Sequence, residues 1–370
     1  FAAAVAIGRD SKAGAWGTAD SPWQVRHADQ LIMNLKNPKA KEIYAKSNFV
    51  QTHDIDWEMS STPHARGGSL YGAFGGTYNG QGFKISNFIT GAVSYIDPAT
   101  KQPTRGFGLF PQAEGATLTD INLVDIQRFD VEHGAVSSSD AFGLLVDNAI
   151  NCKITRCWAK GNPNEEKNRF VISATNNKVA IGGLVGRSVS TNGDNAASIT
   201  GGGVSGAEFI FEPVWWSFAS ESLSFGGIVG ESKNCSLFYN WEGSADTHSP
   251  PVVVGPLVLN LERAVQNGVN LPAPKSIAIG GLVGVLQADR KTSVATRPRT
   301  DASPLSINKM LLIVPDNKQN WPQDLARYSF GGLVGQRIGG SNARISERYW
   351  DPGPDPDLTS GAFAFPRTAS

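Results

Sequence analysis

Cysteine is nearly missing from this chain of 370 residues: Cys152, Cys157 and Cys235 are too few for a disulfide framework, and no CxxC pair starts a four-thiolate zinc site. The three are expected to be buried thiols packing as small core hydrophobes, with a Cys152–Cys157 bridge as the alternative. Histidine is equally sparse. His27, His53, His64, His133 and His248 are dispersed, and no two stand at ligand spacing on one helix face. Excess charge of either sign is also absent, because 33 basic residues balance 33 acidic ones, so no field recruits nucleic acid or an anionic membrane. Nowhere does the sequence hold the roughly 20 consecutive apolar residues of a transmembrane helix, and no direct membrane insertion is expected. The apolar run FAAAVAIG at 1–8 is too short for a signal-peptide core, and the chain is expected to be processed or part of something longer. Charged residues, at 18%, are too few for long salt-bridged helices. Glycine is what remains in abundance, at 41 residues, and it points to short strands and tight turns, an all-β chain.

The glycines recur in a phrase. IGGLVG at 181–186 returns as FGGIVG at 225–230, IGGLVG at 279–284 and FGGLVG at 330–335, preceded by the weaker FGLF at 107–110 and FGLLV at 142–146. Aligned on the glycine before Leu or Ile, the anchors are Gly108, Gly143, Gly183, Gly227, Gly281 and Gly332, at intervals of 35, 40, 44, 54 and 51 residues. A period that loosens without breaking marks stacked units that share a wall and differ in their loops. One unit cannot bury its own apolar face. Stacked in parallel about 4.8 Å apart, the units put Leu184, Ile228, Leu282 and Leu333 in one ladder, and Val185, Val229, Val283 and Val334 in another on the opposite face of the strand. The glycines would supply turns at positive φ and close approach between walls. The expected architecture is a parallel β-solenoid. At roughly 20 to 25 residues per coil, one interval would hold about two coils and the body would be about 60 Å long. A phosphate loop is excluded, since such a loop occurs once, ahead of a helix, with a lysine or GxGxxG spacing.

In chain order, residues 1–22 read as a loose lead-in, 23–350 as one β-helix domain, and 351–370 as a Pro-rich tail unable to continue a ladder, so that the stack ends near Trp350. WQVRHADQLIMNL at 23–35 passes from a β-like start to apolar positions at Leu31, Ile32 and Leu35, with Asp29 suited to a helix start. This is expected to be a short capping helix over the first rung. NFVQTHDIDW at 48–57 reads as a strand, and Asn79-Gly80 within FGGTYNGQGFKISNF at 74–88 signals a tight turn. AINCKITRCWAKG after Gly143 and KNCSLFYNWEG after Gly227 share Asn-Cys, an apolar strand, an aromatic and a glycine. Three longer stretches read as excursions: 188–206 as a mobile loop, 244–275 as an insertion or a wider coil, and the basic 289–304 as a solvated loop.

Asp54, Asp56 and Glu58 are spaced by two, which on a strand sets three carboxylates on one face, a geometry for calcium or for acid–base work. The competing reading is that they accept backbone N–H bonds in the next turn. No cofactor and no other metal site is expected. A hydrolase needs two carboxylates about 5 to 10 Å apart across a cleft, and pairs such as Asp54 with Asp56 or Glu165 with Glu166 match no catalytic motif, so no catalytic residue is assigned. Trp215, Trp216 and Trp321 are the candidates for ligand binding, because an indole covers a sugar ring. Core packing is their alternative role, and alternation puts one of the adjacent pair inside and one outside.

The GGLVG phrases, NFVQTHDIDW, FGGTYNGQGFKISNF and the terminal RYWDPG at 348–353 together resemble, in order as well as in words, the GLUG-repeat proteins of bacterial surfaces. The likeness runs over about 23–350. It implies a right-handed parallel β-helix, a location outside the cell or on its surface, and adhesive rather than catalytic work. The family also includes non-catalytic parts of proteins similar to IgA1-specific metallopeptidases, whose HExxH motif this sequence lacks. The expected function is therefore a non-catalytic adhesive module that binds a host or matrix glycan or protein through its loops, where specificity would reside. Two alternatives stand beside it. One is a structural subunit of a surface filament or matrix, self-associating through solenoid ends or faces; the other is a glycan-active lyase or hydrolase, which the fold also permits.

Overall fold

The structure, a computed structural model, describes residues 17–35, 45–59, 73–90, 94–96, 103–105, 107–128, 135–137, 141–161, 169–174, 178–191, 197–211, 222–237, 252–260, 265–266, 269–270, 276–289, 292–295, 307–313, 328–331, 333–339, 343–346 and 363–364. Most of this is strand, and the strands stack into four parallel sheets that form the walls of a β-helix. Among the described residues wall 1 has five strands, wall 2 seven, wall 3 nine and wall 4 ten. One coil runs through Lys178–Gly182 on wall 1, Val185–Val189 on wall 2, Ser198–Thr200 on wall 3 and Gly203–Phe211 on wall 4; Ser222–Gly226 then opens the next. Two short antiparallel pairs, Ser94–Ile96 with Pro103–Arg105 and Val265–Gln266 with Val269–Asn270, lie off the walls.

The register corrects the expected coil size. Ile181 lies beside Phe225, Phe225 beside Ile279 and Ile279 beside Phe330, so each repeat of the glycine phrase is one coil and not two. Nine rungs on wall 3 therefore span about 40 Å rather than about 60 Å at the usual strand spacing. The extra residues per coil are taken up by a fourth wall and by long wall-4 strands such as Val252–Asn260, so the 244–275 stretch holds a wider coil. The 188–206 stretch likewise carries Ser198–Thr200 and the start of Gly203–Phe211. Ladder formation also outlasts Trp350, because Phe363 and Ala364 pair with Met310 and Leu311 on wall 4.

Alternation on each wall sends apolar side chains inward, where one continuous core fills the solenoid. Its N-terminal half is aromatic: Phe74 stacks on Phe110 at 5.2 Å, Phe49 lies 6.1 Å from Phe74, and Trp57 meets Phe88 edge-on at 5.3 Å. A buried polar network ties the first coils together, with the Tyr78 hydroxyl donating to Gln51 Oε1 (3.1 Å) and Gln51 Nε2 donating to the carbonyls of His53 and Lys84 (both 2.9 Å). All three cysteines are free and buried, and burial pushes the Cys157 and Cys235 thiols up to about 12. The expected helix is Ala28–Leu35. It packs Ala28 and Leu31 into the core, and Gln30 Oε1 accepts the Arg26 and His27 N–H groups (2.6 and 3.1 Å) in a capping-box arrangement.

The walls meet at corners of two kinds. At the wall 1–wall 2 corner sits the glycine phrase, which is a strand–turn–strand and not one strand. The Ile228 carbonyl accepts from both Leu184 N (3.1 Å) and Val185 N (2.9 Å), and Leu282 repeats this for Ile228 and Val229 (both 2.9 Å). Leu184, Ile228 and Leu282 are consequently buried alongside Val185, Val229 and Val283, rather than on an opposite face. The phrase glycines have no positive φ among the described residues; they are there for space. A Cβ on Gly226 would collide with the Val229 carbonyl, and one on Gly230 would lie 2.5 Å from Ile181 N. Register also places Gly143 beside Gly182, so it belongs to the first glycine column and Leu144 stands where Gly183 and Gly227 do, one residue off the expected alignment. The corners around wall 3 and beyond wall 4 instead use left-handed residues, which include glycines such as Gly82, Gly115 and Gly202 but also Gln81, Asn87, Asp120, Asp125, Asn151, Arg156 and Asn234, with φ between 50° and 57°.

Candidate binding groove

Outward-facing residues of walls 1 and 2 line a groove of about 540 Å³. In strands such as Ser222–Gly226 and Ser276–Gly280, Leu223 and Ile277 point into the core, so Ser222, Ser224 and Ser276 point out into the groove. Across from them stand Glu231, Gln287 and Gln336 of wall 2. Val179, Leu223, Ala278, Val285 and Ile338 make up the apolar part of the lining, and none of the described lining residues is aromatic. Glu231 is the one acid among the lining residues, and its Oε2 takes Arg187 Nε at 2.9 Å. The groove thus offers hydroxyls and amides, groups that both donate and accept, with little net charge.

A second singular residue lies just beneath. Gly186, Gly230 and Gly284 occupy the second position of wall 2 in later coils, but the coil that begins wall 1 has Asp147 there. Its carboxylate is buried and accepts Phe107 N (2.7 Å), Gly108 N (2.9 Å) and Gly143 N (3.2 Å). In a later coil the corresponding amide, Gly183 N, donates to the Gly226 carbonyl at 3.2 Å. Asp147 therefore supplies acceptors where wall 1 is only starting. Burial pushes its carboxyl up to about 7, against the pull of the three backbone donors. Sealed in this way, it reaches no ligand.

Two of the carboxylates singled out from sequence, Asp54 and Asp56, hold backbone and side-chain donors. Ile55–Asp56 is a two-residue strand and Trp57–Met59 a 3-10 turn, so Asp54, Asp56 and Glu58 do not share a strand face. The 48–57 stretch is accordingly two strands on different walls, Asn48–Gln51 and Ile55–Asp56. Asp54 Oδ1 accepts Lys84 N (2.8 Å), while Asp56 Oδ1 accepts Glu58 N (3.0 Å) and Asn87 Nδ2 (2.9 Å). Among the described residues no three His, Cys, Asp or Glu side chains gather as a metal site would require, and no helix is long and apolar enough to cross a membrane. Trp215, Trp216, Trp321, Glu165, Glu166 and Gly332 lie outside the described residues. An aromatic passed over in the sequence, Trp158, is half-buried on the outside of wall 4, with Lys160 Nζ 4.9 Å above its ring. The groove residues were also missed, although the alternation in SLSFG and SIAIG, with Ser at the outward positions ahead of the glycines, carried the signal.

Comparison of the chain with protein-family models, with curated proteins and with solved structures gave no match.

Proposed function

We propose that this chain is a non-catalytic adhesive module of a secreted or cell-surface bacterial protein of the GLUG-repeat type, and that it binds a surface or matrix polymer in the groove between walls 1 and 2. The observation that supports this reading is the groove itself: a concave, weakly charged, hydroxyl- and amide-lined trough built by the repeat rather than by any single loop. Non-catalytic work fits the described lining residues, whose single acid is held by Arg187. The test is retention of the full chain on immobilised glycans and matrix proteins. Saturable retention on at least one surface at micromolar concentration is expected; none on any of them would sink the reading. Release of reducing ends or unsaturated products from a polysaccharide panel, abolished by Glu231→Gln, would make it an enzyme instead.

A second reading, assembly into a surface filament or matrix, is favoured by one feature. Phe330 and Ile338, 41% and 45% exposed, stand on Tyr328–Gly331 and Val334–Ile338, the last strands of walls 1 and 2. Light scattering across a concentration series separates the two readings, since an end-to-end assembly grows in mass with concentration and a monomeric adhesin does not.

A further inference from the structure

We infer that the occupant of the groove is a neutral, hydroxyl-rich glycan chain that lies parallel to the solenoid axis and advances about one sugar per coil. This rests on the binding reading above and narrows it to a ligand class and an orientation.

Direction comes from register. Ser222 lies beside Ser276, Glu231 beside Val285, and Val285 beside Gln336, so equivalent lining positions follow one another up the stack. A chain longer than one unit can therefore extend only along the axis. The rungs repeat every 4.7–4.9 Å, and an extended β-linked pyranose chain advances by a closely similar length per sugar. Each ring would thus meet equivalent positions, filled in turn by Glu231, Val285 and Gln336 on wall 2. A volume of about 540 Å³ lies within the usual range for small-ligand sites and suits two or three rings.

Chemical class comes from what the lining offers. Strand addition by a peptide needs an unpaired sheet edge, whereas the groove is lined by outward sheet faces, and of its strands only Val334–Ile338, at the end of wall 2, is not laddered on both sides. Recognition is left to side chains. Serine hydroxyls and glutamine amides each donate and accept, matching sugar hydroxyls, which do the same. Val285, Ala278 and Ile338 can cover ring C–H edges. Charge is slight: Arg187 neutralises Glu231, which leaves one net positive charge, on Lys178, among the described lining residues, so a polyuronate gains little attraction. The described lining residues hold no ring on which to stack a sugar, so from them hydrogen bonding over several sugars supplies the affinity.

Calorimetric titration of the full chain with four neutral tetrasaccharides (β-1,4-glucan, β-1,3-glucan, β-1,4-mannan and β-1,4-xylan), with tetragalacturonate and with a tetraserine peptide tests this. At least one neutral probe is expected to bind tenfold or more tightly than the acidic probe and the peptide. Its dimer should bind at least tenfold more weakly and its hexamer no more than twofold better. Ser276→Trp, which fills the groove, and Gln336→Ala, which removes only an amide, should each weaken binding at least fivefold, while Lys153→Ala on wall 3 leaves it unchanged. The conservative Gln336→Ala keeps the test decisive if the larger substitution perturbs folding. Tighter binding of tetragalacturonate or the peptide, no binding of any neutral probe, or binding indifferent to Gln336→Ala would overturn the inference. Retention on a glycan or matrix surface that survives both groove substitutions would overturn it while leaving the adhesive reading intact. Loss of retention on every surface would remove that reading as well.

Discussion

The solenoid turns its corners in two chemically different ways, and they tolerate change very differently. Between walls 1 and 2 the backbone of one coil presses on the next so closely that a Cβ at Gly226 or Gly280 has nowhere to go, although neither residue has an unusual φ. Around wall 3 and beyond wall 4 the demand is only for a left-handed residue, met by Gln81, Asn87, Asp120, Asp125, Asn151, Arg156 and Asn234 as well as by glycine. A space requirement admits one residue type. A φ requirement admits any side chain at a moderate cost, and that cost can be offset by what the side chain then bonds.

The comparison breaks most visibly at the glycine corner. Gly226→Val places atoms on the Val229 carbonyl and near Gly284 N, at backbone that cannot move without disturbing three coils. A loss of more than about 4 kcal/mol is expected, enough to prevent folding of the full chain. Circular dichroism with a urea titration measures it; a folded protein destabilised by less than about 1 kcal/mol would show that the corner has slack.

Asp147 stands at the same corner, where wall 1 begins, and does with a carboxylate what carbonyls do elsewhere. Asp147→Ala leaves three buried amides without their acceptor, and a loss of about 3 kcal/mol is expected. The carboxyl also predicts a pH dependence. Its folded value of about 7 lies above the ordinary 3.8, so the neutral form favours the fold: this contribution is fully present below about pH 4 and is lost as pH rises through about 7. Stability should fall over that window with a slope of at most about 1.4 kcal/mol per pH unit, and Asp147→Asn should flatten it. Stability that instead rises across the same window would mean that the three donors hold the carboxylate ionised in the fold.

At the left-handed corners the effects shrink. Asp125 has φ of 50°. Asp125→Gly should therefore be neutral or stabilise by about 0.5 kcal/mol through relief of strain, and Asp125→Ala should destabilise by about 1 kcal/mol. The midpoint difference between these two variants in urea is the measurement. Equal midpoints would mean that φ is not what the position demands.

The same distinction explains what the sequence revealed. A corner that accepts only glycine prints itself as GGLVG in the later coils, so the stack and its parallel direction were legible, whereas the valines were set on the wrong face because the turn inside the phrase brings Leu184 and Val185 into the core together. A corner that accepts Asn, Asp, Gln or Arg leaves no repeated letter. Asn151-Cys152 and Asn234-Cys235 stood out as a shared phrase without disclosing that Asn turns the chain and Cys fills the core behind it. Coil length was misjudged for this reason, since the unmarked corners conceal how many walls one repeat crosses. The groove was illegible for another. It depends on two walls contributing to one lining, and nothing in SLSFG or SIAIG names the wall that faces it. Asp147 was readable in part: an acid inside FGLLVD, where later coils have glycine, is an anomaly whose partners only the stacked coils supply.

The smallest expected effect separates the two kinds of corner most finely. Asp120 and Arg156 are the left-handed residues of consecutive coils at the wall 3–wall 4 corner, with φ of 52° and 53°. Their side chains meet in a two-pronged pair, Nε to Oδ1 at 2.6 Å and NH2 to Oδ2 at 2.7 Å. Arg156 is about half exposed, so the pair contributes no more than about 1 kcal/mol. Replacing either residue by glycine removes that attraction but relieves about 1 kcal/mol of left-handed strain, so each single variant should lie within about 0.5 kcal/mol of the parent. The double variant loses the attraction once and relieves the strain twice, and should be the most stable of the four by about 1 kcal/mol. A thermodynamic cycle over the four proteins returns the pair's coupling directly. A coupling near zero, with both single variants stabilised, would show that φ alone sets the energetics of this corner; a coupling well above 1 kcal/mol would show that here the side chains, like the glycines of the tight corner, hold one coil to the next.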